Sequence, residues 1–140
     1  NEMFNFGLNY TYTQTYDGAE QDNPKTGMQN SQMARVPRNI INLITDVKVP
    51  GYKDLGVTLR TKWSDEARDY GTGNANRNGI SFSDAELDSY LVNDLSIRYK
   101  YLNTYNLFFD ITNIFDKKYQ TTQDYNQMDR SYNLGFKKSY

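Results

Sequence analysis

The sequence predicts an all-β chain built as an antiparallel up-and-down segment of a transmembrane β-barrel, with about six strands. Three observations predict it. Apolar and polar residues alternate with a period of 2 through most of the chain, where a helix would show 3.6. Aromatic residues reach 15%, with 13 Tyr against 7 Phe and 1 Trp, although the mean hydropathy is only −0.86. The connections between strand-like segments alternate long, short, long, short, long. Side chains with one apolar side and one wet end suit strands that face lipid on one side and water on the other.

The first strand places Phe4, Phe6, Leu8, Tyr10 and Tyr12 in one row and Asn5, Gly7, Asn9, Thr11 and Thr13 in the other. A loop rich in Gly, Asn, Asp, Gln and Ser covers 17–34. The second strand, 36–49, carries Ile41, Leu43, Thr45, Val47 and Val49 outward, while Ile40 and Ile44 join Asn42, Asp46 and Lys48 inward. Pro50-Gly51 reads as a tight turn. In the third strand Leu55, Val57, Leu59, Thr61 and Trp63 alternate with Gly56, Thr58, Arg60, Lys62 and Ser64. A second polar loop is expected over 69–86, where 71–79 has the composition of turn and coil.

The fourth strand points Leu91, Leu95, Ile97, Tyr99 and Tyr101 outward and Asp94, Ser96, Arg98 and Lys100 inward. Leu102-Asn103-Thr104 is a minimal turn. The fifth strand sends Tyr105, Leu107, Phe109 and Ile111 outward against Asn106, Phe108, Asp110 and Thr112. Alternation falters at 113–116, as a bulge would make it. After a third loop at 121–128, the sixth strand sets Tyr132, Leu134 and Phe136 against Ser131, Asn133, Gly135 and Lys137.

Loop asymmetry of this kind places the long connections outside the cell and the short turns in the periplasm. Tyr10, Tyr12 and Tyr16 near one end, and Tyr99, Tyr101 and Tyr105 near the other, suit two interfacial girdles. The competing reading is a soluble β-sandwich with cross-strand aromatics. Charged inner rows and alternating loop lengths favour the barrel. Six strands do not close a membrane barrel, for which roughly eight is the floor. An unpaired edge in hydrocarbon costs several kcal/mol per backbone group. The chain is therefore expected to be a piece of a larger wall. Asn1-Glu2-Met3-Phe4 opens within a strand-like pattern and has neither a basic nor an apolar leader segment.

Composition removes several classes of function. Lys+Arg 16 against Asp+Glu 17 gives a net charge of −1, without the basic excess of a nucleic-acid binder. The chain has 0 Cys and 0 His, which excludes disulfides and thiolate metal sites and removes the commonest general base. No apolar run approaches the roughly 18 residues of a membrane-spanning helix. No catalytic constellation or phosphate loop is present, so no enzyme activity and no cofactor are expected. Gly71-Thr72-Gly73 lacks the following Lys and the strand–helix context of such a loop.

Four segments resemble a known family. Asn113-Ile114-Phe115-Asp116-Lys117-Lys118-Tyr119 is similar to the N-L-F-D-K-x-Y stretch near the end of TonB-dependent receptors, with Ile for Leu. Arg35-Val36-Pro37-Arg38-Asn39 resembles the R-x-P-R/K-H/N start of an earlier strand in the same barrels. The segment 125–132 resembles the Y-N-x-P-G-R-x-Y loop of the cobalamin-receptor branch, with Met128-Asp129 in place of Pro-Gly. The family's insertion signal alternates apolar residues and ends in an aromatic, which Tyr132, Leu134, Phe136 and Tyr140 fit and Lys138 departs from.

The resemblance implies a roughly 22-stranded barrel with an N-terminal plug. Residues 1–140 would form the C-terminal part of that barrel, without the plug. It implies an outer-membrane receptor for a scarce nutrient chelate: a ferric siderophore, haem or cobalamin. Its partners would be outer-membrane lipid, the chelate, the barrel assembly machinery, and the TonB complex through the missing N-terminal region. A passive porin-like or structural barrel is the alternative; a soluble carbohydrate-binding sandwich is a third reading.

Ligand contacts are expected from aromatic and basic residues at loop bases: Arg68, Tyr70, Arg77, Tyr125 and Arg130. Arginines suit an anionic ferric siderophore. Arg130 and Asp129 have a rival role, pairing with Asp110 or Asp116. Two acidic groups, Asp65, Glu66 and Asp69, and Asp84, Glu86 and Asp88, have the oxygen ligands calcium takes. These groups, and Asp17, Asp22 and Asn23, read instead as solvated loop surface, so no metal is expected.

Overall fold

The computed structural model describes residues 3–15, 33–70, 75–76, 79–80, 84–102 and 104–139, with backbone alone at 70, 75–76, 79–80 and 84. Six long strands form one sheet: β1 (Phe4–Tyr12), β2 (Asn39–Lys48), β3 (Leu55–Ser64), β8 (Tyr90–Tyr101), β9 (Tyr105–Thr112) and β12 (Ser131–Lys138). Each pairs antiparallel with the next in that order, a meander without crossovers. Lengths run from 8 to 12 residues, against the roughly 9–11 that a tilted strand needs to cross a bilayer. Six further short strands lie in the long connections: β4 (Ala67–Tyr70), β5 (Ala75–Asn76), β6 (Gly79–Ile80), β7 (Asp84–Leu87), β10 (Gln120–Thr122) and β11 (Tyr125–Asn126).

The register turns strand alternation into rows across the whole sheet. Phe4, Val47, Val57, Ile97, Phe109 and Leu134 stand in one row, and Phe6, Thr45, Leu59, Leu95, Ile111 and Tyr132 in the next. These rows cover the apolar face, where Leu8 is 72% exposed and Leu134 77%. Tyr10, Ile41, Trp63 and Leu91 bound that face at the long-loop end. Tyr99, Tyr101 and Tyr105 bound it at the short-turn end, where Lys138 Nζ lies 5.9 Å from the Tyr105 ring. Tyr16 lies outside the described residues. Polar Thr61 and Asn93 also occur on this face, but Thr61 Oγ1 donates to Asn93 Oδ1 at 2.7 Å, so neither is left bare.

The opposite face is polar and internally bonded. Asp46 accepts from Thr58 Oγ1 at 2.6 Å. Arg60 donates to Ser96 at 3.1 Å, Ser96 donates to Asp110 at 2.7 Å, and Arg98 pairs with the same carboxylate at 2.7 Å. Among the described residues the only buried apolar side chains are Leu87 and Tyr90, whereas Ser64, Asp69, Asn93, Ser96 and Asn113 are buried. A sandwich would bury its Phe and Leu rows against a second sheet. This chain exposes them and buries polar groups, the reverse of a soluble core and the pattern of a barrel wall.

The turns follow local chemistry. Tyr52 N donates to Val49 O at 3.0 Å around Pro50-Gly51, and Gly51 has φ 81, a type II geometry that favours Gly at that position. Thr104 N donates to Tyr101 O at 3.2 Å across a turn with Leu102 at φ 50. Three expectations need correction. The segment 69–86 is not plain coil, because β4 pairs with β7 from Ala67↔Leu87 to Tyr70↔Asp84. The faltering at 113–116 is not a bulge inside a ladder: β9 ends at Thr112, and Asn113 and Asp116 both take φ 53. The third loop likewise contains the paired strands β10 and β11.

Gly135 faces Phe108 across the β9–β12 ladder, and a Cβ there would fall inside the Phe108 ring. Arg98 caps the same ring at 5.3 Å. Gly135→Ala is therefore expected to destabilise the barrel by about 1–3 kcal/mol through overpacking. Urea unfolding of the intact protein, read by its heat-modifiable gel mobility, measures this; adding Phe108→Leu is expected to recover most of the loss.

Candidate functional site

The described parts of the three long connections, 13–15 with 33–38, 65–70 with 84–89, and 113–130, gather at one end of the sheet over its polar face. Their meeting point is Asp69 on β4, which is 1% exposed. Its Oδ1 accepts from Arg35 Nε at 2.7 Å and its Oδ2 from Gln123 N at 2.6 Å, so one carboxylate joins a group from each of the other two connections. The backbone of Arg35 aims its side chain there, since the residue takes φ 64 and its N–H donates to Arg68 O at 2.7 Å. Met33 N bonds Thr15 Oγ1 at 2.9 Å and ties the same connection back to its start.

The third connection is turned inward by a knot at the end of β9. Asn113 N donates to Asp94 Oδ1 at 2.8 Å. Its side chain accepts from Lys117 N at 2.9 Å and donates to Lys117 O at 3.0 Å and Met128 O at 3.4 Å. Asn tolerates the left-handed backbone this bend requires. Asp116 Oδ1 then accepts from Arg130 N at 2.9 Å, which draws the two ends of the connection together. Tyr119 packs against Tyr90 with ring centres 4.3 Å apart and planes tilted by 31°, and Lys62 Nζ lies 5.8 Å from the Tyr90 ring. Burial, and then the nearby Tyr90 and Asp94, hold the Tyr119 phenol above its usual range, so it stays protonated.

Beneath the clamp is a pocket of about 190 Å³. Arg35 and Pro37 come from the first connection, Asp65, Ala67, Leu87 and Asp88 from the second, and Gln120 and Thr121 from the third. Ile40, Lys62, Ser64 and Tyr90 of the sheet make the floor. The lining offers two cations, two carboxylates, an aromatic face and amide and hydroxyl groups. It suits recognition of a polar molecule that carries both hydrogen-bond donors and acceptors.

The expected contact residues scatter around this pocket. Arg68 lies on β4 opposite Glu86, and its carbonyl supports Arg35. Tyr70 ends β4 opposite Asp84. Tyr125 stands on β11 and is 70% exposed. Arg130 is engaged at the loop base, where its guanidinium donates to Ile114 O at 3.4 Å and lies 5.9 Å from the Tyr132 ring. Asp129 pairs with Lys118 at 2.5 Å, and Asp116 lies 3.6 Å from the same ammonium. Arg77, Asp17, Asp22, Asn23 and Tyr140 lie outside the described residues. Tyr132, Leu134 and Phe136 all project from β12 on the apolar face.

Of the acidic residues, Asp65 accepts from Asn39 Nδ2 at 2.6 Å and Asp69 is committed to the clamp. Among the described residues no three metal-capable side chains come together. Sequence reasoning missed Arg35, Lys62, Tyr90, Gln120, Thr121 and Gln123 as site residues. Arg35 alone carried a signal, as the first residue of the segment 35–39.

Fold and site together define a class: the wall of a transmembrane β-barrel whose loops close over its polar side. The chain belongs to the TonB-dependent receptors, because the family described as TonB dependent receptor-like, beta-barrel matches residues 2–114. It is a protein of the Gram-negative outer membrane. No curated protein sequence matches it.

Solved structures extend the likeness past residue 114. The pyoverdine outer membrane receptor FpvA of Pseudomonas aeruginosa PAO1 superposes with TM-score 0.76 at 17% identity, over 100% of this chain and 20% of that one. The siderophore receptor PiuA of Acinetobacter baumannii gives 0.68 at 25% identity, over 96% of this chain and 19% of that one. The ferric-catecholate import receptor Fiu of E. coli K12 gives 0.71 at 15% identity, over 97% and 19%. This chain thus spans about a fifth of the structures it matches.

Two outcomes follow for the clamp and the knot. Asp69→Ala is expected to lower the free energy of opening the loops by about 2–3 kcal/mol, since charge-assisted bonds of a buried carboxylate are lost. Asp69→Asn, which keeps an acceptor for Gln123, is expected to cost less; hydrogen exchange at the Gln123 amide measures both.

The second outcome concerns pH. The Arg130 N–H, then the Lys118 charge, hold the Asp116 carboxyl below its ordinary 3.8, so its contribution is complete above that value and lost only in stronger acid. Asp129, then Asp116, hold the Lys118 ammonium above 10.5, so its contribution is lost only in stronger base. The Arg130 amide is expected to keep a constant protection factor between about pH 5 and 9.

Proposed function

We propose that this chain is the C-terminal wall of a TonB-dependent importer that takes up an anionic iron chelate of the ferric-siderophore kind. The observation that carries the reading is the convergence of three loops on one pocket over the polar face, in a chain of this family. In the pocket Lys62 suits an anionic oxygen, Asp65 and Asp88 suit donor groups of the same ligand, and Tyr90 suits an aromatic or planar group. FpvA, PiuA and Fiu are described as receptors of pyoverdine, a siderophore and a ferric catecholate, which supports this cargo over haem or cobalamin. In this reading the long loops face the medium and the short turns face the periplasm. More strands complete the barrel, a plug fills it, and the TonB complex acts on the segment preceding the barrel. Tyr132, Leu134 and Phe136 are the strand the assembly machinery recognises. Arg68, Tyr70, Arg77, Tyr125 and Arg130 are the candidates for further ligand contacts.

The test is binding and uptake of labelled ferric siderophores, haem and cobalamin by cells carrying the intact receptor, with and without TonB. Siderophore uptake that needs TonB is expected. Lys62→Ala is expected to weaken siderophore binding about tenfold, the loss of one charge-assisted contact. Uptake that persists undiminished without TonB would assign a passive barrel instead.

A further inference from the structure

The third connection carries three glutamines, and two of them are used within it. Gln120 accepts from Asp124 N at 3.2 Å and donates to Asn126 Oδ1 at 3.0 Å, and Gln127 donates to Thr121 Oγ1 at 2.8 Å. Gln123 differs. Its backbone N–H is committed to Asp69, but its side-chain oxygen Oε1 is buried and accepts from no group among the described residues. No other side-chain nitrogen or oxygen among the described residues is buried without a partner.

A buried carbonyl oxygen without a donor has lost the hydrogen bonds that water would give it. That disfavours the buried state by about tenfold or more. The penalty falls in the roof of the pocket. Gln123 lies two residues beyond Thr121, which lines the pocket, and across Asp69 from Arg35, which lines it too. The neighbouring carboxylates do not relieve it, because Asp65, Asp69 and Asp88 are themselves acceptors. An occupant that offered only anionic oxygens would leave Oε1 unpaired. An occupant with an N–H or O–H group would satisfy it.

We propose that Gln123 is a ligand-binding residue, its Oε1 accepting from an N–H or O–H group on the organic frame of the bound chelate. The proposal rests on the chelate reading above and narrows it: the cargo carries a donor that metal binding does not consume. Gln123 then has two separable roles. Its backbone holds the clamp, and its side chain reads the ligand.

The test is Gln123→Met in the intact receptor. Met keeps the backbone N–H and nearly the same volume, and its thioether has little need of a donor. In the ligand-free receptor the amide of residue 123 is expected to exchange about tenfold more slowly in the variant, because the unpaired oxygen is gone. Two ferric probes then read the site. One is the tris-catecholate of plain catechol, whose oxygens are all deprotonated on the iron. The other is a tris-catecholate whose rings carry amide N–H groups. The variant is expected to bind the amide-bearing probe about tenfold more weakly and the plain probe unchanged, whereas Lys62→Ala weakens both. Gln123→Leu, a second apolar replacement, is expected to give the same pair of results.

Unchanged or faster exchange in the ligand-free variants would mean that the oxygen already has a donor, such as a buried water, and would overturn the proposal. Equal loss for both probes, or loss for neither, would overturn it while leaving the chelate reading in place. If the unmodified receptor binds neither probe, the contact proposed for Gln123 falls, and uptake of the other ferric chelates decides the wider reading separately.

Discussion

Every backbone N–H and C=O that crosses hydrocarbon needs a partner within the protein, and this constraint shapes the whole chain. The antiparallel ladders of β1, β2, β3, β8, β9 and β12 meet it strand by strand. Bonds just past the strand ends continue it, such as Thr13 N to Arg38 O at 2.8 Å and Ser139 N to Thr104 O at 2.8 Å. Once the ladders are fixed, alternation decides the rest. Side chains of one parity go to lipid and those of the other to the lumen, with no freedom to slip by one residue.

The two faces then solve different problems. The outer rows need only be apolar, which is why Val, Leu, Ile, Phe and Tyr interchange along them. The inner rows must satisfy charge. Around Asp110 they do so with a relay from Arg60 through Ser96, joined by Arg98. At the long-loop end the satisfaction of one carboxylate, Asp69, becomes an organising device. It draws together segments separated by 34 and 54 residues and gives the pocket its roof.

The sheet was legible in the sequence because lipid on one face makes alternation visible. The six long strands and both short turns could be read from it, including the inward Phe108. The loop strands could not. β4 and β7 are four residues each, with one apolar pair, Ala67 opposite Leu87, which is too short to mark a period. The site was less legible for a related reason. Arg35, Asp69 and Gln123 are far apart in sequence, and only the folded loops make them neighbours. Arg130 reads as a contact residue from its type and place, and only the fold shows that its amide also bonds Asp116 and its guanidinium Ile114 O at the loop base.

That knot separates two roles within a single connection. The chain from 113 to 130 is held at its base by Asn113, Asp116 and Arg130, and higher up Gln127 N donates to Tyr119 O at 2.9 Å. Beyond this the tip is a small hairpin around Asp124 at φ 64. Its outward-facing residues, Tyr125 among them, can change without disturbing the ladder below. A lineage carrying such a loop can alter what it recognises at the tip while inheriting an unchanged route back into the last strand. The wall and the recognition surface are then open to selection at different rates.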